Sequence, residues 1–557
     1  MRKYAKNIGA IVFIILVINI IGSYFFFRID LTQDKRYTLS DISLKIIKNI
    51  EEPIYIDVYL TGELPATFQR LQAETRQIIE EYQAYNSNII FRFIEQSSDK
   101  EMAFIASKNL FKKGLTPINI TVAEKGKQSQ LMVFPWATAN YKGREVNVAL
   151  LKNLMGATTE DKILGSVQNL EYAFSEAFKK LLTERQKKVA VIKGNGQLQD
   201  VQIAKFLLQV RENYHIGPFT LDSVETDGLG TLKALMKYDL AIIAKPTEPF
   251  SDKEKQVLDQ FIVNGGKTIW LIDQVDAELD NLYNPEGSTM AFGRDLRLND
   301  MFFKYGIRIL PALIKDEQGT PIKLASGAAG SATQFQEFNW KFAPFIVPVG
   351  THATIKNLGG IKFDFANPIE ILKNDIRKTI LLQSSPYSKA IGVPSIIGLN
   401  IVNETEDLKQ YQGSGNLPVA VLLEGKFHSV FENRVLGFKD INFVSTDKKS
   451  QIIVIADGDL IKNNIDKNGI PLELGYDQKT GNLFDNKDFI INCVNYLLDD
   501  SGLINIRAKD ITLPLLDKEK VSNSYVFTQL IAVVLPLIIL ILFAFLFTMY
   551  RRKKYNR

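Results

Sequence analysis

The chain has 557 residues, 46% hydrophobic and 23% charged, with 35 Gly and 19 Pro, which excludes a disordered, collagenous or disulfide-stapled protein. Formal charge is +5, but Arg2, Lys3, Lys6, Arg551, Arg552, Lys553, Lys554 and Arg557 flank the outer sides of two apolar ends; without these eight the remainder carries −3, so no nucleic-acid partner is expected. One cysteine, Cys493, and three histidines exclude an intramolecular disulfide, an iron–sulfur cluster and a cysteine-rich zinc site, and no cofactor is expected.

Residues 8–27 carry no charge, and that length of helix spans about 30 Å, the thickness of a bilayer core. A cleaved signal peptide would have a shorter apolar region and a small-residue cleavage site, whereas this stretch ends Phe25-Phe26-Phe27-Arg28, so an uncleaved transmembrane helix is expected. Residues 525–550 form a second uncharged block, followed by Arg551-Arg552-Lys553-Lys554. Basic flanks stay cytoplasmic, which places both termini inside the cytoplasmic membrane and residues 28–524 across it. Asn19 and Gln529 are amides in hydrocarbon: they satisfy each other or nearby backbone, or they contact a separate membrane subunit. Pro536 is a helix-bending residue in the same block. Two spans enclose no transport pathway, so any role in transport is that of an accessory.

An N-terminal α/β unit is expected over 28–185. Residues 53–60 alternate as a strand, 66–85 place Phe68, Leu71, Ile78, Ile79, Tyr82 and Tyr85 on one helical face, and 88–94 return as a strand. With apolar segments at 117–123, 129–134 and 145–151 the pattern is βαβ plus hairpin, broadly thioredoxin-like but without Cys-x-x-Cys. A helix at 166–182 then leads into a second unit, 186–501. Strands at 188–193, 239–244 and 268–273 alternate with helices near 199–212 and 251–263, the pattern of a parallel, doubly wound sheet. Ser251-Asp252-Lys253-Glu254 is a capping box. The pattern weakens from about 280 to 425, read as a long insertion that includes the small-residue run 324–332; strands at 418–423 and 451–456 and a helix at 487–498 complete the sheet. Residues 502–524 are the expected tether to the second span.

Few motifs carry chemistry. Gly265-Gly266-Lys267-Thr268 resembles the tail of a P-loop, but it follows a helix and precedes a strand, the wrong direction for a phosphate at a helix N-terminus. Gly194-Asn195-Gly196 lies after a strand and before a helix, where a tight turn or a ligand edge belongs; Gln199 stands where a dinucleotide fingerprint needs its third glycine. Asp457 and Asp459 end another strand and suit turn and cap duty, or a hard cation. Asn195, Asp457 and Asp459 are therefore the candidate ligand edge. His215, His352 and His428 form no motif, and Cys493 falls on an apolar helix face as a buried thiol.

The chain resembles the GldG-type auxiliary proteins of gliding-motility ABC transporters. The resemblance rests on residues 30–40 (DLTQDKRYTLS), on Tyr238 to Asp273, on Ile455 to Leu460 (IADGDL) and on Gly481-Asn482-Leu483-Phe484. It implies an extracytoplasmic domain related to class I glutamine amidotransferases, joined to a membrane permease subunit and a cytoplasmic ATPase. An amidotransferase cysteine would follow a strand in a sharp turn, but after Ala241-Ile242-Ile243-Ala244 the chain reads Lys245-Pro246-Thr247. Relatives carry Gly-His-Gly-Glu where this chain has Gly194-Asn195-Gly196-Gln197. The resemblance therefore implies a catalytically silent body, with no catalytic, metal or cofactor residues. The alternatives are an envelope or motility scaffold without transport, and a cryptic hydrolase at the strand edges.

Overall fold

The computed structural model of the protein describes residues 13–15, 17, 38–95, 99–124, 127–152, 157–183, 186–326, 334–439, 442–508 and 524–555. The chain divides into two units, Met1–Asp510 and Ile511–Arg557. The first expected span, 8–27, with Asn19 inside it, lies outside the described residues except for helical positions 13–15 and 17.

In the first unit, the serine ending the 30–40 motif, Ser40, caps helix α1 (Asp41–Ile47) by accepting from Ser43 N. Strand β1 (Ile54–Val58) buries Ile54, Ile56 and Val58, as its alternation requires. Helix α2 (Ala66–Tyr85) returns the chain to β2 (Ile89–Phe93), parallel to β1. Helix α3 (Lys100–Lys112) and the hairpin of β3 (Ile118–Glu124) and β4 (Lys127–Val133) follow, the hairpin forming its own sheet. The remaining strands are β5 (Trp136–Tyr141) and β6 (Arg144–Ala149), in the order β2-β1-β5-β6. The expected hairpin at 117–134 is thus no part of the four-stranded sheet. Its place beside β1 is taken by β5, whose buried Ala137, Thr138 and Ala139 lie between Trp136 and Tyr141 with no alternation of large apolar residues.

Helix α4 runs over Thr159–Leu182, a longer span than the 166–182 expected, because Thr158 supplies an N-cap to Asp161 N. Its Phe178 packs edge-on to Tyr82 at 5.2 Å, and Tyr82 Oη lies 2.6 Å from Ser175 Oγ.

A seven-stranded sheet carries the rest. Strand β7 (Lys188–Lys193) is followed by α5 (Ala204–Asn213), β8 (His215–Thr220), α6 (Gly228–Leu235), β9 (Leu240–Ala244), α7 (Asp252–Val263) and β10 (Lys267–Leu271). Later segments add β11 (Arg377–Gln383), β12 (Pro418–Lys426) and β13 (Lys449–Ile455), after which comes α8 (Asn486–Leu498). The order is β11-β12-β13-β10-β9-β7-β8, with β13, β10, β9, β7 and β8 parallel. Both faces are buried, and successive residues go to opposite sides. Val191, Ile242, Ile269 and Ile453 pack with α5 and α8, while Ile192, Ile243, Trp270 and Val454 pack with α6 and α7. The stretch expected as an insertion has a smaller core of its own around Trp340, Phe342 and Phe365, yet it returns β11 to the edge of the main sheet. Residues 327–333 of its small-residue run lie outside the described residues.

The expected tether is packed at its start. Leu503–Ala508 is a 3₁₀ turn whose Leu503 and Ile506 are buried with Tyr172 of α4, because residues three apart share one face of such a turn. In the second unit, Tyr525–Gln529 is helical, Leu530–Val534 widens to one π turn, and Leu535–Tyr555 continues as helix. Pro536 lacks an N–H and crowds the preceding turn, which the π turn relieves. Leu530–Lys554 contains an 18-residue stretch of mean hydropathy 3.3, and its side chains are exposed throughout.

Candidate functional site

Parallel sheets gather chemistry at the carboxyl ends of their strands, and four of the turns there interlock. The turn after β9 places Lys245 at φ 52, left-handed backbone in which a side chain is thrust out of the strand line. Lys245 N donates to Leu271 O at 2.9 Å, so the bend is fixed against β10. A sharp elbow therefore follows β9, and a lysine occupies it.

The Lys245 ammonium is buried and ion-paired. Its Nζ lies 2.5 Å from Glu278 Oε1, 2.6 Å from Asp459 Oδ2 and 3.4 Å from Asp273 Oδ2. Burial by itself would pull the lysine down, but Asp459, Asp273 and Glu278 outweigh it and hold Lys245 above its ordinary value. Such an ammonium has no lone pair with which to attack or to take a proton. Asp273 follows β10 and accepts from Gly458 N at 2.5 Å; burial, opposed by Lys245, pushes it up to about 6. Burial likewise raises Asp457, and the charges of Asp273 and Asp459 add to it. Asp459 is held low despite its burial by Lys245 and Lys462, the latter at 3.1 Å. Gly458 is required by this packing: a Cβ there would lie 2.5 Å from Lys245 Cγ.

The structure places Asp457 and Asp459 in one turn with Lys462 and gathers Lys245, Asp273 and Glu278 against them, a grouping that sequence reading missed because these three come from separate turns. Asp457 does turn duty, accepting from Asp459 N at 2.7 Å and from Asp364 N at 2.8 Å. Oxygens of Asp273, Glu278 and Asp459 lie within 4.8 Å of one another, near enough to ligate one cation, and the lysine ammonium takes that place. Beside the cluster is a cavity of about 250 Å³, lined by Glu278, Asp459, Lys462, Lys362, Asp364 and Asp477.

Asn195 belongs to a different set of contacts. It is 3% exposed, its carbonyl accepts from Thr247 N at 3.0 Å and Glu248 N at 3.1 Å, and its Nδ2 donates to Glu254 Oε1 at 3.1 Å. The Gly194–Gly196 turn thus fastens the β9 elbow to the start of α7. Gln529 is exposed at the end of the first helical segment of the second unit; its expected counterpart Asn19 is outside the described residues. His352 Nδ1 lies 2.9 Å from Thr354 Oγ1, and His428 is exposed beside Glu432, so neither lines the cavity. Cys493 is fully buried in the α8 core, and burial raises its thiol.

Residues 33–140 match a domain family of unknown function. A Borreliella burgdorferi protein described as uncharacterized is 22% identical over 543 residues, covering 95% of this chain and 94% of its own length. Among solved structures, the mmIFT52 N-terminal domain is similar at a TM-score of 0.32 with 13% identity, over 59% of this chain and 100% of that one. A ThuA-like protein from Parabacteroides merdae reaches a TM-score of 0.27 with 9% identity, over 57% and 91%. At those scores neither carries an argument about fold or function. Residues 186–493, more than half the chain and the whole span from β7 into α8, match the family described as an ABC-type uncharacterized transport system, and the chain belongs to that family.

Proposed function

We propose that the protein is a non-enzymatic, membrane-anchored auxiliary subunit of an ABC-type transporter complex. Its body, residues 28–524, lies outside the cytoplasmic membrane, and both termini lie inside. A permease subunit shares the bilayer with its apolar helices, and a cytoplasmic ATPase supplies the energy. The observation that carries this reading is membership of the ABC-type transport family over residues 186–493. Two further features support it: Leu530–Lys554 is long and apolar enough to cross a membrane, and an ion-paired lysine occupies the β9 elbow. The finer assignment to gliding motility, and the kinship of the body to amidotransferase folds, rest on the sequence resemblance, and the thioredoxin-like reading of the N-terminal unit rests on its strand and helix pattern.

The test is affinity purification of the tagged full chain in mild detergent from its native cells. A permease and an ATPase are expected to co-purify in fixed proportion. Recovery of envelope proteins with neither of them would replace this reading with that of a scaffold.

A further inference from the structure

A second and larger cavity lies on the other side of α8. It has a volume of about 900 Å³, within the range of small-molecule sites, and it opens between β5 and β6 of the four-stranded sheet, helix α4 and helix α8. Its walls carry five carboxamides, Asn119, Asn147, Asn169, Asn492 and Asn495 among them from four different elements. Asn147 is held at one end by protein, and Asn492 and Asn495 at both, their Nδ2 atoms donating to Thr354 O at 3.0 Å and to Tyr172 Oη at 3.4 Å. Asn147 Nδ2 donates to Lys113 O at 2.8 Å, Asn492 Oδ1 accepts from Arg507 at 2.7 Å, and Asn495 Oδ1 accepts from Tyr214 Oη at 3.0 Å. Asn147, held by its Nδ2, presents its Oδ1 at a set angle and loses little freedom on binding, while Asn492 and Asn495 stiffen the wall. Asn169 and Arg507 are each more than nine-tenths buried, yet Asn169 Oδ1 and Arg507 Nε have no hydrogen-bond partner. A buried polar atom left in that state needs a reason beyond packing.

The charges lining the cavity nearly cancel. Lys152 lies 3.5 Å from Asp488 and donates to Asn357 O at 2.8 Å, and Lys487 pairs with Glu473 at 2.5 Å. Such a wall exerts little net field on a charged molecule, but it has many donors and acceptors for a neutral one. Trp136 supplies the apolar element. Its Nε1 is satisfied by Thr116 O at 2.8 Å, and the half-buried ring lines the cavity, free to stack.

We propose that this cleft binds an uncharged, hydroxyl-rich ligand, a short neutral oligosaccharide, whose hydroxyls are read by the carboxamides and whose apolar ring face lies on Trp136. A site of this composition discriminates by hydrogen bonding, since a ligand without the hydroxyls leaves the buried Asn169 Oδ1 and Arg507 Nε unpaired.

Tryptophan fluorescence tests the proposal on the full chain in a detergent without a sugar headgroup. Trp270 and Trp340 are buried in other cores, which makes Trp136 the residue positioned to respond. Titration with chitotriose and with cellotriose is expected to change the emission saturably with at least one of them. Asn147→Ala and Asn119→Ala, both at exposed positions, are expected to weaken that binding about 10-fold each with the melting temperature unchanged. Calorimetry on Trp136→Ala, whose optical signal is lost, is expected to show the same loss of affinity. The absence of saturable binding by either trisaccharide to the folded protein would overturn the proposal. So would binding that all three substitutions leave unaltered.

Discussion

At the scale of single residues, Lys245 is the position on which the carboxyl edge of the sheet turns. Removing one partner from a buried ionic group leaves the others uncompensated, a loss of about 3–5 kcal/mol. Lys245→Met strands Asp273, Glu278 and Asp459, and is expected to lower the unfolding free energy of the detergent-purified chain by that amount in urea titrations followed by circular dichroism. Adding Asp459→Asn is expected to restore more than about 1 kcal/mol of it, since the two residues share one interaction and their effects cannot add. Equal losses in single and double variants would mean that Asp459 is not stranded, its charge being met by Lys462 at 3.1 Å. Asp273 gives the same cluster a pH signature. Its folded value, about 6, stands above the ordinary 3.8, so between these values the folded chain binds more protons than the unfolded one. Stability contributed by this group is therefore greatest at acid pH and falls as pH rises through about 4 to 6. Subtracting the melting profile of Asp273→Asn from that of the parent is expected to expose a decline of about 2 kcal/mol in that window. The sequence disclosed a lysine in place of a nucleophile at 245, but not its partners, because carboxylates at 273, 278 and 459 meet only once three turns are folded side by side.

At the scale of elements, α7 shows where reading by pattern succeeds and where it stops. The capping box is present: Glu254 N donates to Ser251 Oγ, and Ser251 N donates to Glu254 Oε2 at 2.7 Å. Ser251→Ala is expected to cost about 1 kcal/mol. Glu254→Ala is expected to cost more, because Glu254 also accepts from Asn195 and so ties the β7 turn to the helix; chemical denaturation of the two variants ranks them. The apolar face of Val257, Leu258, Phe261 and Ile262 was legible from its spacing. The polar face was not, and it is buried too. Gln256 pairs with both backbone groups of Phe438 and Gln260 with both of Val444, each amide standing in for a strand neighbour. Asp259 accepts from Tyr305 Oη at 2.8 Å, Ser429 Oγ at 2.5 Å and Val430 N at 2.9 Å. Local periodicity cannot foresee a loop nearly two hundred residues away. Strand β5 failed for the opposite reason, since Ala137, Thr138 and Ala139 are buried in succession between Trp136 and Tyr141 and show no period-two alternation.

For the whole molecule, the decisive relation is between a long water-facing body and an apolar helix that water would not tolerate. Leu530–Lys554 has 25 residues, about 37 Å at 1.5 Å per residue, sufficient for the bilayer core with some tilt. Arg551 to Lys554 follow the apolar stretch, and basic residues of this kind resist transfer across the membrane. The body offers no such stretch among its described residues, and its sheet is covered on both faces by its own helices. The proposed arrangement therefore predicts asymmetric protection. In intact spheroplasts, added protease is expected to cut exposed loops of the body, with a site near Arg434 and Val435, while an epitope placed after Arg557 survives on a short membrane-bound fragment. Lysis of the spheroplasts should make the epitope vanish. Were the body protected and the epitope digested, the orientation would be reversed; were both digested without lysis, Leu530–Lys554 would not cross the membrane, and the body would have to be held there by a partner instead.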